Sequence, residues 1–461
     1  MAFETDSLAA LQRVLQTLES GFTALPAWQP SSPRPSQMEA VLSETALRLH
    51  RNYPYFHPLY AGQMLKPPHP VARAAYAMAT WINPNNHALD GGLASSQMEL
   101  EAVAQLAAMF GWSAHLGHLT SGGTVANLEA LWVARQSAPG KTVLASRQAH
   151  YTHSRMCSLM QIPFEAIATD SNGRISLDAL EARLRQGDIG TVVVTLGTTS
   201  LGAIDPLPQI QELRRRYGFR IHVDAAYGGY FTLASNLPPA ARLAYAALAD
   251  VDSIVVDPHK HGLQPYGCGC ILFRDPAVGS FYKHDSPFTY FTSAALHLGE
   301  ISLECSRAGA SAVALWATQR MFPLIPGGEF AEMLTRCRAA ALDLHRRLAQ
   351  APQFLAPIQP ELDIVVWAVR GATVEESSSR ARAVFQHAAQ HDLHLALVQL
   401  PVDMFPSNTW PASAPSSDDG SGGQTPSVHC LRSVLMKPEH CDWIDAIWER
   451  LLIATCEVLE P

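Results

Sequence analysis

Between Leu116 and Phe273 short apolar runs alternate with stretches of helical spacing, and that alternation limits the possible folds more than any other feature of the chain. The runs at 142–146, 164–168, 191–196, 220–223, 253–256 and 270–273 have the length of strands and are rich in aliphatic residues. Segments 177–185 and 208–217 between them read as helices. Strand, helix and strand in succession build a parallel sheet with helices on its faces, because a crossover is needed to return the chain to the same edge. The expectation is an α/β unit with a mostly parallel sheet. In such sheets the loops beyond the carboxyl ends of the strands carry the chemistry.

The chain has 461 residues, more than one ordinary core accommodates, so the flanks should pack as further parts. Residues 1–95 hold a helix through 40–48 and then, from Tyr53 to Pro70, a stretch rich in Pro, Tyr and His that reads as an ordered arm. The large unit occupies 96–328. Beyond it Phe330, Met333, Leu334, Cys337, Ala341, Leu344 and Leu348 recur at three and four residues, so a helix opens a small α+β unit over 329–461. Its strands are expected at 363–367, 395–398 and 428–435, and its last helix over 441–459. Residues 411–427 are mostly Ser, Gly, Asp, Pro and Ala, bury too little apolar surface to offset the entropy of ordering, and predict a mobile loop.

Charge excludes one class of partner. Forty-one acidic against 33 basic side chains leave a net charge of −8, the opposite of a nucleic-acid binder's footprint. Glu4, Asp6, Arg13 and Glu19 interrupt any signal-peptide core or membrane span near the start, so the protein is expected in the cytoplasm and off the membrane. Its eight cysteines are scattered and read as reduced thiols. Cys268 and Cys270 alternate onto one face of a strand with no second cysteine–histidine cluster nearby, so no metal site is expected.

Polar residues gather at four strand ends. The run 253–256 ends in Asp257-Pro258-His259-Lys260. A lysine amine attacks carbonyls once deprotonated, which desolvation and a neighbouring cation favour, although a lone lysine after a strand is more often an ordinary surface residue. The run 220–223 ends in Asp224-Ala225-Ala226-Tyr227-Gly228-Gly229, where a buried carboxylate needs a cationic partner. A protonated pyridine nitrogen supplies one, and small Ala226 leaves room for a flat ring; the plainer reading makes Asp224 a turn cap. Thr120-Ser121-Gly122-Gly123-Thr124 leads into an apolar helix, whose glycines, hydroxyls and unpaired amides suit a phosphate as well as they suit an ordinary helix start. It has neither the Gly-Lys-Ser/Thr of a P-loop nor a Gly-x-Gly-x-x-Gly turn. His150, after the run 142–146, is a candidate to stack on a bound ring.

Together, and in this order, Thr120–Thr124 with Asn127, Ala149-His150, Gly197-Thr198-Thr199, His222 to Gly229, Asp257-Pro258-His259-Lys260 and Trp316 resemble the group II pyridoxal-phosphate-dependent amino acid decarboxylases. That family acts on glutamate, tyrosine, other aromatic L-amino acids and diaminobutyrate. The resemblance implies fold type I, a large, mostly parallel seven-stranded sheet domain plus a small C-terminal α+β domain. It also implies a homodimer with its active site at the subunit interface, pyridoxal 5'-phosphate as cofactor and a small amino acid as substrate.

By position, Lys260 resembles the lysine that carries the cofactor as a Schiff base, Asp224 the partner of the pyridine nitrogen, His150 the stacking histidine and Ala226 the residue beneath the ring. Ser121, Gly122, Gly123 and His259 resemble phosphate-side contacts, with Asp257 where many members carry Asn, and Thr199 resembles a threonine near the ring oxygen. Arg432 is similar to an arginine that binds the substrate α-carboxylate in members taking acidic substrates; the alternative is a strand arginine paired with a surface acid. Gln63 and Phe56 in the arm are further substrate-side candidates.

Segment 281–293 occupies the place of a catalytic loop whose tyrosine reprotonates the substrate carbon. Tyr290 matches it, with Tyr282 as the alternative. Ser306-Arg307-Ala308-Gly309 resembles a stretch that reaches the partner's phosphate site. Decarboxylation to an amine and carbon dioxide is the expected reaction. Transamination and aldehyde-forming oxidative decarboxylation remain as alternatives, since Phe288 and Phe291 flank Tyr290 and phenylalanine at the loop tyrosine accompanies the oxidative branch; a non-catalytic dimeric homologue is a third. Phe56, Trp81, Phe288 and Phe291 suit an aromatic substrate, Arg432 and Gln63 an acidic one.

Overall fold

The computed structural model describes residues 4–26, 28, 35–88, 91–283, 302–410 and 426–460. Seven strands form the larger sheet: β1 (Leu116–Thr120), β2 (Thr142–Ser146), β3 (Phe164–Ile167), β4 (Ile189–Thr195), β5 (Arg220–Asp224), β6 (Ser253–Val256) and β7 (Gly269–Phe273). Their spatial order is β1-β7-β6-β5-β4-β2-β3. Neighbours from β3 through β6 are parallel, and β7 alone runs antiparallel to β6 and β1. β1 therefore points the same way as the parallel strands, and its carboxyl end opens on the same edge of the sheet. Strands β2, β6 and β7 bury every residue, as strands covered on both faces must. Cys268 and Cys270 pack in the main core.

The fourth strand ends one residue earlier than its apolar run. Leu196 instead bridges Ile204, because the chain turns at Gly197 with φ +100°, where an added Cβ would come 3.0 Å from the backbone nitrogen of Gly228.

The smaller sheet is antiparallel in the order β10-β11-β9-β8, made of β8 (Phe354–Leu355), β9 (Ile364–Val369), β10 (Ala396–Pro401) and β11 (Ser427–Val434). β8 has two residues, too few to show an alternation in sequence. The 411–427 loop is shorter at its carboxyl end than expected, since Ser427 pairs with Pro401 and the Pro426 carbonyl accepts the Val402 amide at 2.8 Å. Residues 411–425 lie outside the described residues. The long helix Glu329–Gln350 lays Phe330, Leu334, Cys337, Ala341, Leu344 and Leu348 into the core, as their spacing requires.

The N-terminal arm is stitched to this second sheet. The Ala61 amide donates to His394 O (2.9 Å), the Val434 amide to Ala61 O (2.7 Å), and Lys66 Nζ to Met436 O (3.2 Å). Lys437 Nζ donates to Tyr60 O at 2.6 Å, from a buried position. The preceding helix Pro35–Leu49 buries none of its residues. No helix among the described residues is long and apolar enough to cross a membrane.

Candidate active site

A cavity of about 350 Å³ opens at the carboxyl ends of the parallel strands. Such a crevice is where open α/β sheets place ligands. Ser121, Gly122, Gly123, His150, Thr199, Asp224, Ala226, Asp257, His259 and Lys260 all line it, although they come from five strand ends spread over 140 residues of sequence.

Alternation along β5 explains why two polar residues meet here. Ile221 and Val223 face the main core, so His222 and Asp224 face the opposite side of the sheet. His222 there bonds Asn127 Oδ1 through Nε2 (2.8 Å) and Ser253 Oγ through Nδ1 (2.9 Å), and burial pushes its pKa down to about 3, so it is neutral. Asp224 Oδ1 accepts the Ala226 amide at 3.1 Å, and Oδ2 accepts His153 Nε2 at 2.9 Å. Burial opposes ionisation of Asp224, but the His153 hydrogen bond and charge, helped by Lys260, outweigh it and hold the carboxyl well below the usual range.

Lys260 Nζ lies 3.2 Å from Asp257 Oδ2, and His259 Nε2 lies 3.4 Å from the same oxygen. His259 also accepts the Cys268 amide at Nδ1 (3.3 Å), while burial depresses its pKa. The glycine turn is forced by this carboxylate: a Cβ on Gly123 would stand 2.7 Å from Asp257 Oδ2. Beyond it the helix Gly123–Ser137 begins, and its first residues, Gly123, Thr124 and Val125, line the cavity. The Ser121 amide donates to Glu304 Oε2 at 2.9 Å. His150 accepts the Thr152 amide at Nδ1 (3.3 Å) and meets Thr152 Oγ1 at 2.6 Å, so its proton sits on Nε2; burial lowers its pKa.

Arg432 and Gln63, separated by 369 residues, are hydrogen-bonded to each other: Arg432 Nη2 donates to Gln63 Oε1 at 2.6 Å and Nη1 to Thr199 O at 2.8 Å. The pairing with a surface acid is not found. Arg432 is 6% exposed, its Nε has no partner, and among the described residues no carboxylate forms an ion pair with it.

Neither Arg432 nor Gln63 is among the residues that line the cavity, although Thr199 is, and other candidates are also placed elsewhere. Phe56 is 37% exposed and does not line the cavity. Tyr282 is 3% exposed and donates to Glu129 Oε2 at 3.0 Å inside a cluster between β1, β7 and the helix Gly123–Ser137. The Arg307 guanidinium is taken up within its own chain by Glu99, Leu119 O and Asn86 O. Trp316 Nε1 donates to Glu101 (2.7 Å). Tyr290, Phe288 and Phe291 lie outside the described residues. Sequence reasoning passed over His153 and Thr195. The signal for His153 was its spacing of three from His150, a turn closed by the His153 amide donating to His150 O at 3.2 Å.

The pyridoxal-dependent decarboxylase conserved domain matches residues 49–370. The chain belongs to the pyridoxal-dependent decarboxylase family. It is 27% identical over 438 residues to the L-tyrosine decarboxylase of Enterococcus faecium, covering 72% of each chain. It is 26% identical over 376 residues to the L-aspartate decarboxylase of Thermococcus kodakarensis, covering 80% of this chain and 94% of that one. In fold it resembles the Oryza sativa TDC solved with PLP and tryptamine, with a TM-score of 0.77 at 18% identity and coverage of 99% of both chains.

This decarboxylase is thus a fold type I lyase that uses pyridoxal 5'-phosphate to decarboxylate an amino acid. The cavity fits that cofactor. Two buried oxygens of residues that line it, Thr195 Oγ1 and Asp257 Oδ1, have no partner among the described residues, and a glycine turn at a helix N-terminus is of the kind that takes a phosphate.

Proposed function

We propose that this decarboxylase holds pyridoxal 5'-phosphate with its phosphate at residues 121–124 and His259, its ring between His150 and Ala226, its ring nitrogen at Asp224 and its carbonyl carbon at Lys260. When bound, the cofactor supplies an electron-withdrawing pyridinium that accepts the electron pair left behind as carbon dioxide departs. Asp224 keeps a negative charge where that ring needs a proton. Lys260 would supply the amine that holds the cofactor's carbonyl, and the Asp257 carboxylate lies 3.2 Å from that amine. Thr199 and Asp257 complete the cofactor's polar surround. In the loop we assign the proton return to Tyr290, because Tyr282 is engaged with Glu129.

Unpaired Arg432 carries the substrate reading. A buried guanidinium bonded only to neutral oxygens calls for an anion, and a substrate carboxylate is the anion an amino acid brings. Gln63 orients that guanidinium. We therefore propose an L-amino acid with an acidic or aromatic side chain, in keeping with the tyrosine and aspartate decarboxylases it resembles. Carbon dioxide and amine release from tyrosine, aspartate, glutamate, dihydroxyphenylalanine and diaminobutyrate, with cofactor supplied, tests this. Stoichiometric amine from tyrosine or aspartate is expected; aldehyde or keto acid without amine would overturn it.

The proposed assembly is a homodimer, in which Phe56 would reach its site from the partner. Helix Pro35–Leu49 leaves Met38, Val41, Leu42, Leu47 and Leu49 all about half exposed or more, a surface a second copy would cover. Sedimentation should give twice the chain mass. We place the protein in the cytoplasm, where its eight free cysteines stay reduced.

A further inference from the structure

Beside Asp224 stands a side chain that the reaction as described does not use. His153 is the second residue of the helix Thr152–Leu159 and is fully buried. Its Nε2 is 2.9 Å from Asp224 Oδ2, and its Nδ1 has no hydrogen-bond partner. That asymmetry fixes the donor, because among the described residues the carboxylate is the one hydrogen-bond partner of the ring, so Nε2 carries the proton and points it at Oδ2. A carboxylate with one oxygen held by a backbone amide and the other by an imidazole has no rotational freedom left. Its remaining lone pairs are aimed by the protein.

We infer that His153 is a positioning residue for the cofactor's ring: it orients the Asp224 carboxylate and keeps it an acceptor, so that the ring nitrogen stays protonated. The inference rests on the assignment of Asp224 to that nitrogen. The neighbours fit the role. His222, whose ring centroid is 6.2 Å from that of His153, is tied to Asn127 and Ser253 and cannot take the donor's place. His150, with its Nδ1 turned toward Thr152, and Lys260, whose amine is beside Asp257, are the other titratable groups around Asp224, and neither bonds it. His153 is then the one side chain among the described residues that donates to Asp224.

Two variants and one wild-type measurement test this on the holoenzyme. His153→Leu removes the donor, and His153→Gln keeps an amide donor at similar reach. Cofactor affinity, read by titrating the protein with pyridoxal 5'-phosphate, should weaken about tenfold or more in the leucine variant, the loss expected of a hydrogen bond to a charged group, and recover most of that in the glutamine variant. The visible band of Lys260-bound cofactor should also change its pH midpoint, moving higher in the leucine variant, because a less protonated ring withdraws fewer electrons from that bond. Unchanged affinity and midpoint in His153→Leu would overturn the inference. Should that variant not fold, ¹⁵N-histidine spectra of the wild type decide. A slowly exchanging Nε2–H, absent from His153→Gln, must shift when cofactor is added; a resonance indifferent to cofactor refutes the role. Absence of the visible band from wild type would instead refute the Lys260 and Asp224 assignments.

Discussion

Replacing Arg432 by methionine separates substrate binding from folding. The side chain is 6% exposed and makes two hydrogen bonds, to Thr199 O at 2.8 Å and Gln63 Oε1 at 2.6 Å. Losing them costs about 1 kcal/mol each, but the variant no longer buries a cation, whose desolvation penalty is several kcal/mol, and methionine nearly keeps the volume. These terms oppose each other, so Tm should stay within a few degrees of wild type. Activity has no such compensation. A carboxylate that loses a charge-assisted hydrogen bond loses about 1.5–3 kcal/mol of binding, or about 10–150-fold in kcat/KM. The assay is carbon dioxide release from tyrosine and from aspartate, with thermal melts on the same preparations. A fall on both substrates places the α-carboxylate at Arg432, and a fall on aspartate alone places its side-chain carboxylate there. Wild-type kcat/KM on both, or a loss matching a collapse of Tm, would refute the reasoning. Arg432→Lys should recover little, since one ammonium cannot span both oxygens and the substrate.

Other substitutions probe the remaining parts. Lys260→Ala should lose turnover and the visible cofactor band together; substantial residual decarboxylation would sink the assignment. Tyr290→Phe should divert product from amine toward aldehyde, measured by chromatography. Tyr282→Phe should leave the product unchanged and lower stability by about 1–3 kcal/mol in denaturant melts, because the buried Glu129 loses a donor. Burial, reinforced by Lys66, pushes the Lys437 pKa down to about 7, below its unfolded value near 10.5. A depressed folded pKa means that the unfolded chain binds more protons in this window, so the contribution of Lys437 is full above pH 10.5 and is lost as pH falls to 7. Stability measured across that range should rise with pH by on the order of a few kcal/mol, and Lys437→Met should flatten the rise.

The strands were legible because sheets covered on both faces need unbroken aliphatic runs, and β2, β6 and β7 supply them. The site's members were legible for a related reason: each sits where such a run stops and polar or small residues begin. What their order in sequence could not provide was pairing. Nothing in a run of residues says that Gln63 meets Arg432, since that contact depends on how the arm docks to the second sheet. His153 was invisible for another cause. A short polar helix has no apolar stripe strong enough to mark its inward face, and the histidine is buried against a carboxylate instead of against hydrocarbon. The burial of Tyr282 against Glu129 was likewise not revealed by the composition around it.

The docking of the arm also has a temporal consequence. Gln63 is made early and Arg432 is 369 residues later, close to the end of the chain. At about 5–20 residues per second a ribosome needs roughly 20–75 s to cover that distance. For this interval the arm has no strand to join and the tyrosines at 53 and 60 have no His394 to pack against. All seven strands of the large sheet are made well before the substrate side of the site exists. Completion of the active site is therefore a late event of synthesis, and a chain stopped short of β11 would keep Lys260 and Asp224 but lack Arg432.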